Sequence, residues 1–177
     1  YLIYYGFKNN FKDYLPETII FSIVIIILII FYEQLRLNIF TYSMIVLAMI
    51  IHSFGVFGFY TTSPLPIQYD HLTHFIAMFA IFLAFFNYLK PKFKNNLMGL
   101  IVITLLISLG FGAFIENIEF AGYLSRHGGK GLFYVGDAGD TGFGGLTQME
   151  LKEMNLQDGA WFNVMWDLVY NFLGAIF

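Results

Sequence analysis

The stretch YDHLTHFIAMFAIFLAFFNYLK, residues 69–90, opens with an acid and two histidines and then carries no further charge until Lys90. The uncharged interval from His71 to Leu89 is 19 residues long. At about 1.5 Å per residue, a helix of this length crosses the roughly 30 Å hydrocarbon core of a bilayer. The stretch therefore reads as a membrane-spanning helix with a polar entrance. Comparable uncharged intervals cover residues 18–32, 37–69 and 95–115. Only 12% of the chain is charged and 58% is hydrophobic, whereas an ordinary soluble domain is about 25% charged. Lipid is the main solvent this composition suits.

These intervals predict an all-α, polytopic transmembrane helical bundle of about five helices, near residues 16–36, 38–59, 70–89, 97–124 and 160–177. Together they make one membrane domain over residues 1–177. Pro16 suits a first helical turn, where a missing N–H costs nothing. Pro64 and Pro66 stiffen the loop TTSPLPIQ at 61–68, and Pro91 interrupts the chain in KPKFK. The chain starts at Tyr1 and ends at Phe177 within an apolar run, so five is read as a minimum. The run 19–31 has no small-residue cleavage site after it, which argues against a signal peptide. The absence of cysteine excludes disulfides and thiolate metal sites. A net charge of −3 offers no basic patch for nucleic acid. Membrane lipid, and other membrane-protein subunits, are the expected partners.

Lys and Arg in short loops favour the cytoplasmic face. Arg36, Lys90, Lys92 and Lys94 share one face if the helices alternate, which puts KPKFK inside and residues 69–75 at the outer surface of a cytoplasmic membrane. The glycine-rich insert 125–158, with GDAGDTGFGG at its centre, is then extracytoplasmic. A structured cap over the helix ends is its simpler reading. Asp137 and Asp140 are candidate ligands for a hard cation such as calcium, without the spacing of an EF-hand.

The residues that invite a functional reading are polar groups inside apolar helices: His52, Asp70, His74, Glu116, Glu119, Asp167 and Asn171. Each ionisable group costs about 2.5–3.5 kcal/mol at the centre of a span and so turns toward protein or water. Asp70 and His74 are four residues apart, Glu116 and Glu119 three, Asp167 and Asn171 four, so each pair lies on one stripe of its helix. Counting along the helices brings all of them to the same outer half of the membrane. Asp70, His74, Glu116 and Asp167 form a candidate metal set, with a divalent ion as candidate cofactor. Each also has a simpler explanation: Asp70 as a helix cap, Glu119 at interfacial water, and His52 as hydrogen-bonding glue between helices. His71 lies one position off the Asp70–His74 stripe, toward headgroups. Ser108, Gly110 and Gly112, with Gly55 and Gly58, are small residues expected to admit close helix packing, and the many Phe and Tyr are expected to face lipid or its interface.

The order D-x-x-x-H-F (Asp70, His74, Phe75), E-x-x-E-F (Glu116, Glu119, Phe120) and W-D-x-x-x-N-x-x-G-A (Trp166, Asp167, Asn171, Gly174, Ala175) resembles the small VanZ-like and YjdF-like integral membrane proteins. The double-acid motif and the pair Gly136-Asp137 are similar to the YjdF-like branch. The resemblance implies a compact helical bundle sharing Asp70, His74, Glu116, Asp167 and Asn171 as a polar core. Three function classes stay open: a subunit or scaffold of a membrane complex with an ion-binding polar site, a metal-assisted enzyme acting on a lipid or envelope precursor, and a proton- or ion-coupled transporter.

Overall fold

The computed structural model describes residues 15–60, 64–126 and 159–177. Asp137 and Asp140 lie outside the described residues, as does nearly all of the glycine-rich insert. All regular structure among the described residues is helical. The first expected helix is divided into α1 (Leu15–Ile30) and α2 (Tyr32–Leu35) at Phe31. Hydrogen bonding runs through the break, from Phe31 N to Ile27 O at 2.9 Å and from Leu35 N to Phe31 O at 2.9 Å. Arg36, in the left-handed conformation at φ 50°, ends α2 and turns the chain toward the next helix.

Helix α3 (Ile39–Phe54) starts at Asn38, whose side chain accepts from Thr41 N at 2.8 Å and so satisfies a free amide of the first turn. It continues as a π turn, Gly55–Phe59, in which Tyr60 N donates to Gly55 O five residues back. That wider turn lays the Tyr60 ring over Gly55, where an added Cβ would overlap the ring. Helix α4 (Tyr69–Leu89) ends in a 3-10 turn containing Pro91, α5 (Leu97–Arg126) runs for 30 residues, and α6 (Gly159–Ile176) closes the described chain.

Among the described residues, three stretches are long and apolar enough to cross a membrane: Ile39–Phe57, Tyr69–Lys92 and Leu97–Gly122. The apolar parts of the first and last helices, Thr18–Ile30 and Val164–Ile176, are shorter. Helix α4 is the central element, packed on α3, α5 and α6, with its longest contact against α6. The approach of α4 to α6 depends on Gly174, since a Cβ there would overlap the Phe75 backbone carbonyl. Gly112 on α5 has a similar role, as its Cβ would stand 2.9 Å from Met78 Cε and 3.0 Å from Asn171 Nδ2. Gly110, expected to aid packing, instead faces open space, because it lies on the opposite side of α5.

The buried set is unusually polar for a helical bundle, although Met78, Ala80, Leu100 and Ala175 are buried with it. Buried side chains include Thr41, His71, Thr73, Thr104, Ser108, Glu116, Asp167 and Asn171, while Ile, Phe and Leu cover the exposed surface. On α6 the buried positions 167, 171 and 174 form one stripe, and Met165, Trp166, Val169 and Phe172 face outward. In lipid the apolar side chains gain nothing by clustering, and the polar ones must find partners inside. Where α3 begins and α4 ends, Asn38 Nδ2 donates to Asn87 Oδ1 (3.1 Å) and Asn87 Nδ2 to Thr41 Oγ1 (2.9 Å). This brace fixes the register of the two helices at the end remote from His74.

Candidate functional site

His74 is the centre of the polar layer, and helix geometry puts it there. It lies one turn after Asp70 on α4, between two helices whose polar stripes face it: Glu116 on α5, and Asp167 with Asn171 on α6. Its Nδ1 lies 3.2 Å from Asn171 Oδ1 and 3.3 Å from Glu116 Oε1. Its Nε2 lies 3.6 Å from Asp70 Oδ1 and 3.7 Å from Asp167 Oδ1. Asn171 Nδ2 donates to Glu116 Oε1 at 3.1 Å, which turns the Asn171 carbonyl toward the imidazole. Glu116, Asp167 and Asn171 are each at most 2% exposed.

Both ring nitrogens thus face acceptors. The Nδ1 side is hydrogen-bonded to the Asn171 carbonyl oxygen, an acceptor that a protonated Nδ1 satisfies, with Glu116 Oε1 close beside it. On the Nε2 side the separations exceed the roughly 2.7–3.2 Å of N–H···O bonds. They are close to the edge of a metal polyhedron: ligands about 2.0–2.2 Å from a zinc ion stand about 3.3–3.6 Å apart in a tetrahedron. One ligand atom from each of Asp70, His74 and Asp167 lies within 4.8 Å of the other two. A histidine whose far nitrogen is held by an amide and a carboxylate is also how proteins orient an imidazole toward a metal.

The two other ionisable residues of the sequence reading fall into different places. Glu119, expected at interfacial water, forms a second group with Glu116 and Asp167, with one oxygen of each within 4.8 Å of the others. One turn beyond Glu116, it is carried inward by the same face of α5. His52 binds the Tyr60 hydroxyl through Nδ1 at 2.7 Å and packs edge-on against Phe21 at 4.8 Å. It therefore ties α1, α3 and the π turn together. Tyr60 had no motif to mark it, because its position over His52 depends on the π turn.

His71 corrects the expectation that it faces headgroups. It is 8% exposed and stacks on Tyr170 with ring centroids 4.4 Å apart and planes at 10°. His71 and Phe75 share a face of α4, and the close approach at Gly174 brings α6 against that whole face. Tyr69, likewise expected at the lipid interface, is 6% exposed and donates its hydroxyl to Ile51 O at 3.1 Å. Beside Glu116, a groove of about 180 Å³ opens between α5 and α6, walled by Asn117, Phe120, Met165 and Leu168. Met165 is 43% exposed on the apolar surface, so the groove leads from the lipid-facing side toward Glu116.

Apolar spans surrounding a buried His and carboxylate layer describe an integral membrane bundle. A family model, predicted membrane protein (DUF2238), matches residues 1–177. The chain belongs to the DUF2238 family. No curated protein and no solved structure gives a significant match. The family assignment supports a small membrane protein and carries no activity with it.

Proposed function

We propose that this DUF2238 protein binds a divalent metal ion through Asp70, His74 and Asp167 and uses it in hydrolytic or group-transfer chemistry on a lipid or envelope precursor. The observation that carries the reading is the His74 imidazole. Its Nδ1 is engaged by Asn171 and Glu116, and its Nε2 stands 3.6 and 3.7 Å from two carboxylates. With Nε2 unprotonated, a cation on that side would stand between the nitrogen lone pair and the two carboxylates and offset their repulsion. Mixed imidazole and carboxylate ligands suit zinc or manganese. Three protein ligands leave a position for water, whose pKa a bound zinc lowers to about 7.

The groove beside Glu116 supports a substrate that reaches the site from the bilayer. Its volume, about 180 Å³, compares with the roughly 150 Å³ engineered cavity that accommodates benzene. It therefore suits part of a lipid next to the reacting group. The motif order supports the finer likeness to VanZ-like and YjdF-like proteins, and the loop charges support a site in the outer half of the cytoplasmic membrane. A scaffold role, with partner subunits on the apolar surface, would need the polar layer only as interhelical hydrogen bonding. The long Nε2 separations favour an ion instead.

The test is zinc analysis of the detergent-purified protein. Zinc that is retained through dialysis by the wild type and lost in His74→Ala and Asp70→Asn, with helical circular dichroism unchanged, supports the reading. Absence of zinc and manganese binding in the folded wild type at millimolar ion would overturn it.

A further inference from the structure

We propose that the same layer holds a second divalent cation, on Glu116, Glu119 and Asp167, with Asp167 shared between the two ions. This rests on the metal reading of the first site. The ligand chemistry of the two groups differs. The first contains an imidazole; the second offers only carboxylate oxygens, a set suited to a hard ion such as manganese, magnesium or calcium. Oxygens about 2.3–2.6 Å from one calcium ion stand at most about 4.6–5.2 Å apart. Those of Glu116, Glu119 and Asp167 lie within 4.8 Å of one another.

An independent observation comes from Glu116. Its Oε1 receives Asn171 Nδ2 and faces His74 Nδ1, while its Oε2 is buried and has no hydrogen-bond partner among the described residues. The residue is 1% exposed. Leaving a buried acceptor unsatisfied costs about 1–3 kcal/mol, and more for a charged group. A cation on that oxygen would remove the cost.

Charge balance points the same way. Asp70, Glu116, Glu119 and Asp167 bring four carboxylates to one layer. Helices α4 and α6 contain no Lys or Arg, and α5 has only Arg126 at its last position. With all four ionised beside a neutral imidazole, one divalent ion leaves two negative charges in a low-dielectric interior, and a second ion neutralises them. Two ions sharing a carboxylate also form the kind of centre that holds the attacking and leaving oxygens of a displacement.

Manganese alone is the probe, titrated into the detergent-purified chain with bound ion counted by equilibrium dialysis and the coupling between ions read by electron paramagnetic resonance. The expected result is two ions per chain with an exchange-coupled signal in the wild type. Glu119→Gln should retain one ion and give an uncoupled signal, while Asp167→Asn should lose the coupled pair. If Glu119→Gln fails to fold, Glu119→Asp, with its carboxylate withdrawn by one methylene, should weaken only the second binding step. One ion in the wild type, lost in His74→Ala and unchanged in Glu119→Gln, overturns the second site and leaves the first standing. Two ions insensitive to Glu119 also overturn it. No manganese ion in the wild type overturns the second site, and the absence of zinc as well overturns the first.

Discussion

Gly174→Ala separates packing from ligand chemistry, because it alters no candidate ligand. The new methyl would stand 2.9 and 3.0 Å from the carbonyl carbon and Cα of Phe75 and would overlap its carbonyl oxygen. Ordinary contact starts near 3.4 Å, and the overlap with the carbonyl oxygen is the largest, so α4 and α6 must part by about an ångström. These are backbone atoms, and no rotamer change relieves the overlap. His74 directly precedes Phe75, and Asn171 lies one turn before Gly174, so the displacement falls on the His74–Asn171 and His74–Asp167 separations. Metal ligands tolerate about 0.2 Å, and disturbing the groups that orient a ligand typically costs 10–100-fold in metal affinity. The expected outcome is a loss of about that size, with destabilisation of about 1–3 kcal/mol from overpacking. Zinc titration and thermal unfolding in detergent measure the two effects. Gly110→Ala is the control: its methyl enters open space and should leave both quantities unchanged or raise stability slightly. Wild-type zinc affinity and melting in Gly174→Ala would refute the proposed dependence of the site on this close approach.

Asn171→Leu removes the acceptor of His74 Nδ1 and the donor to Glu116 while leaving the Nε2-side residues in place; zinc titration should show a loss of about 10–100-fold. Asn87→Leu breaks the remote brace to Asn38 and Thr41. Thermal unfolding should register a loss of about 0.6 kcal/mol per bond, the average for interhelical hydrogen bonds in membranes, and at most about 1.7 kcal/mol per bond, with zinc affinity unchanged. His71→Ala removes the stack on Tyr170 and should cost about 0.5–1.5 kcal/mol beyond the lost contact area; unchanged zinc stoichiometry would separate its packing role from the proposed ligand role of His74.

Long uncharged intervals, the scarcity of charge and the helical spacing of Asp70 with His74, Glu116 with Glu119, and Asp167 with Asn171 were legible in the sequence. They determined an all-α membrane bundle and the residues of its polar layer, because each signal is local to one helix. Which nitrogen of His74 meets which partner was decided by the tertiary structure, since it depends on the rotation of three helices about their axes. Sequence spacing specifies the stripe and leaves that rotation open. The same reason explains His71 and Gly110: each has the residue type suggested by its local reading, but the packing partner of its face is set elsewhere. His71 is buried because Gly174, about 100 positions away in the chain, admits α6 against α4. The place of Asp167 in both candidate ligand groups likewise has no counterpart in linear spacing, because the contributing atoms come from three helices whose approach is fixed only when they pack.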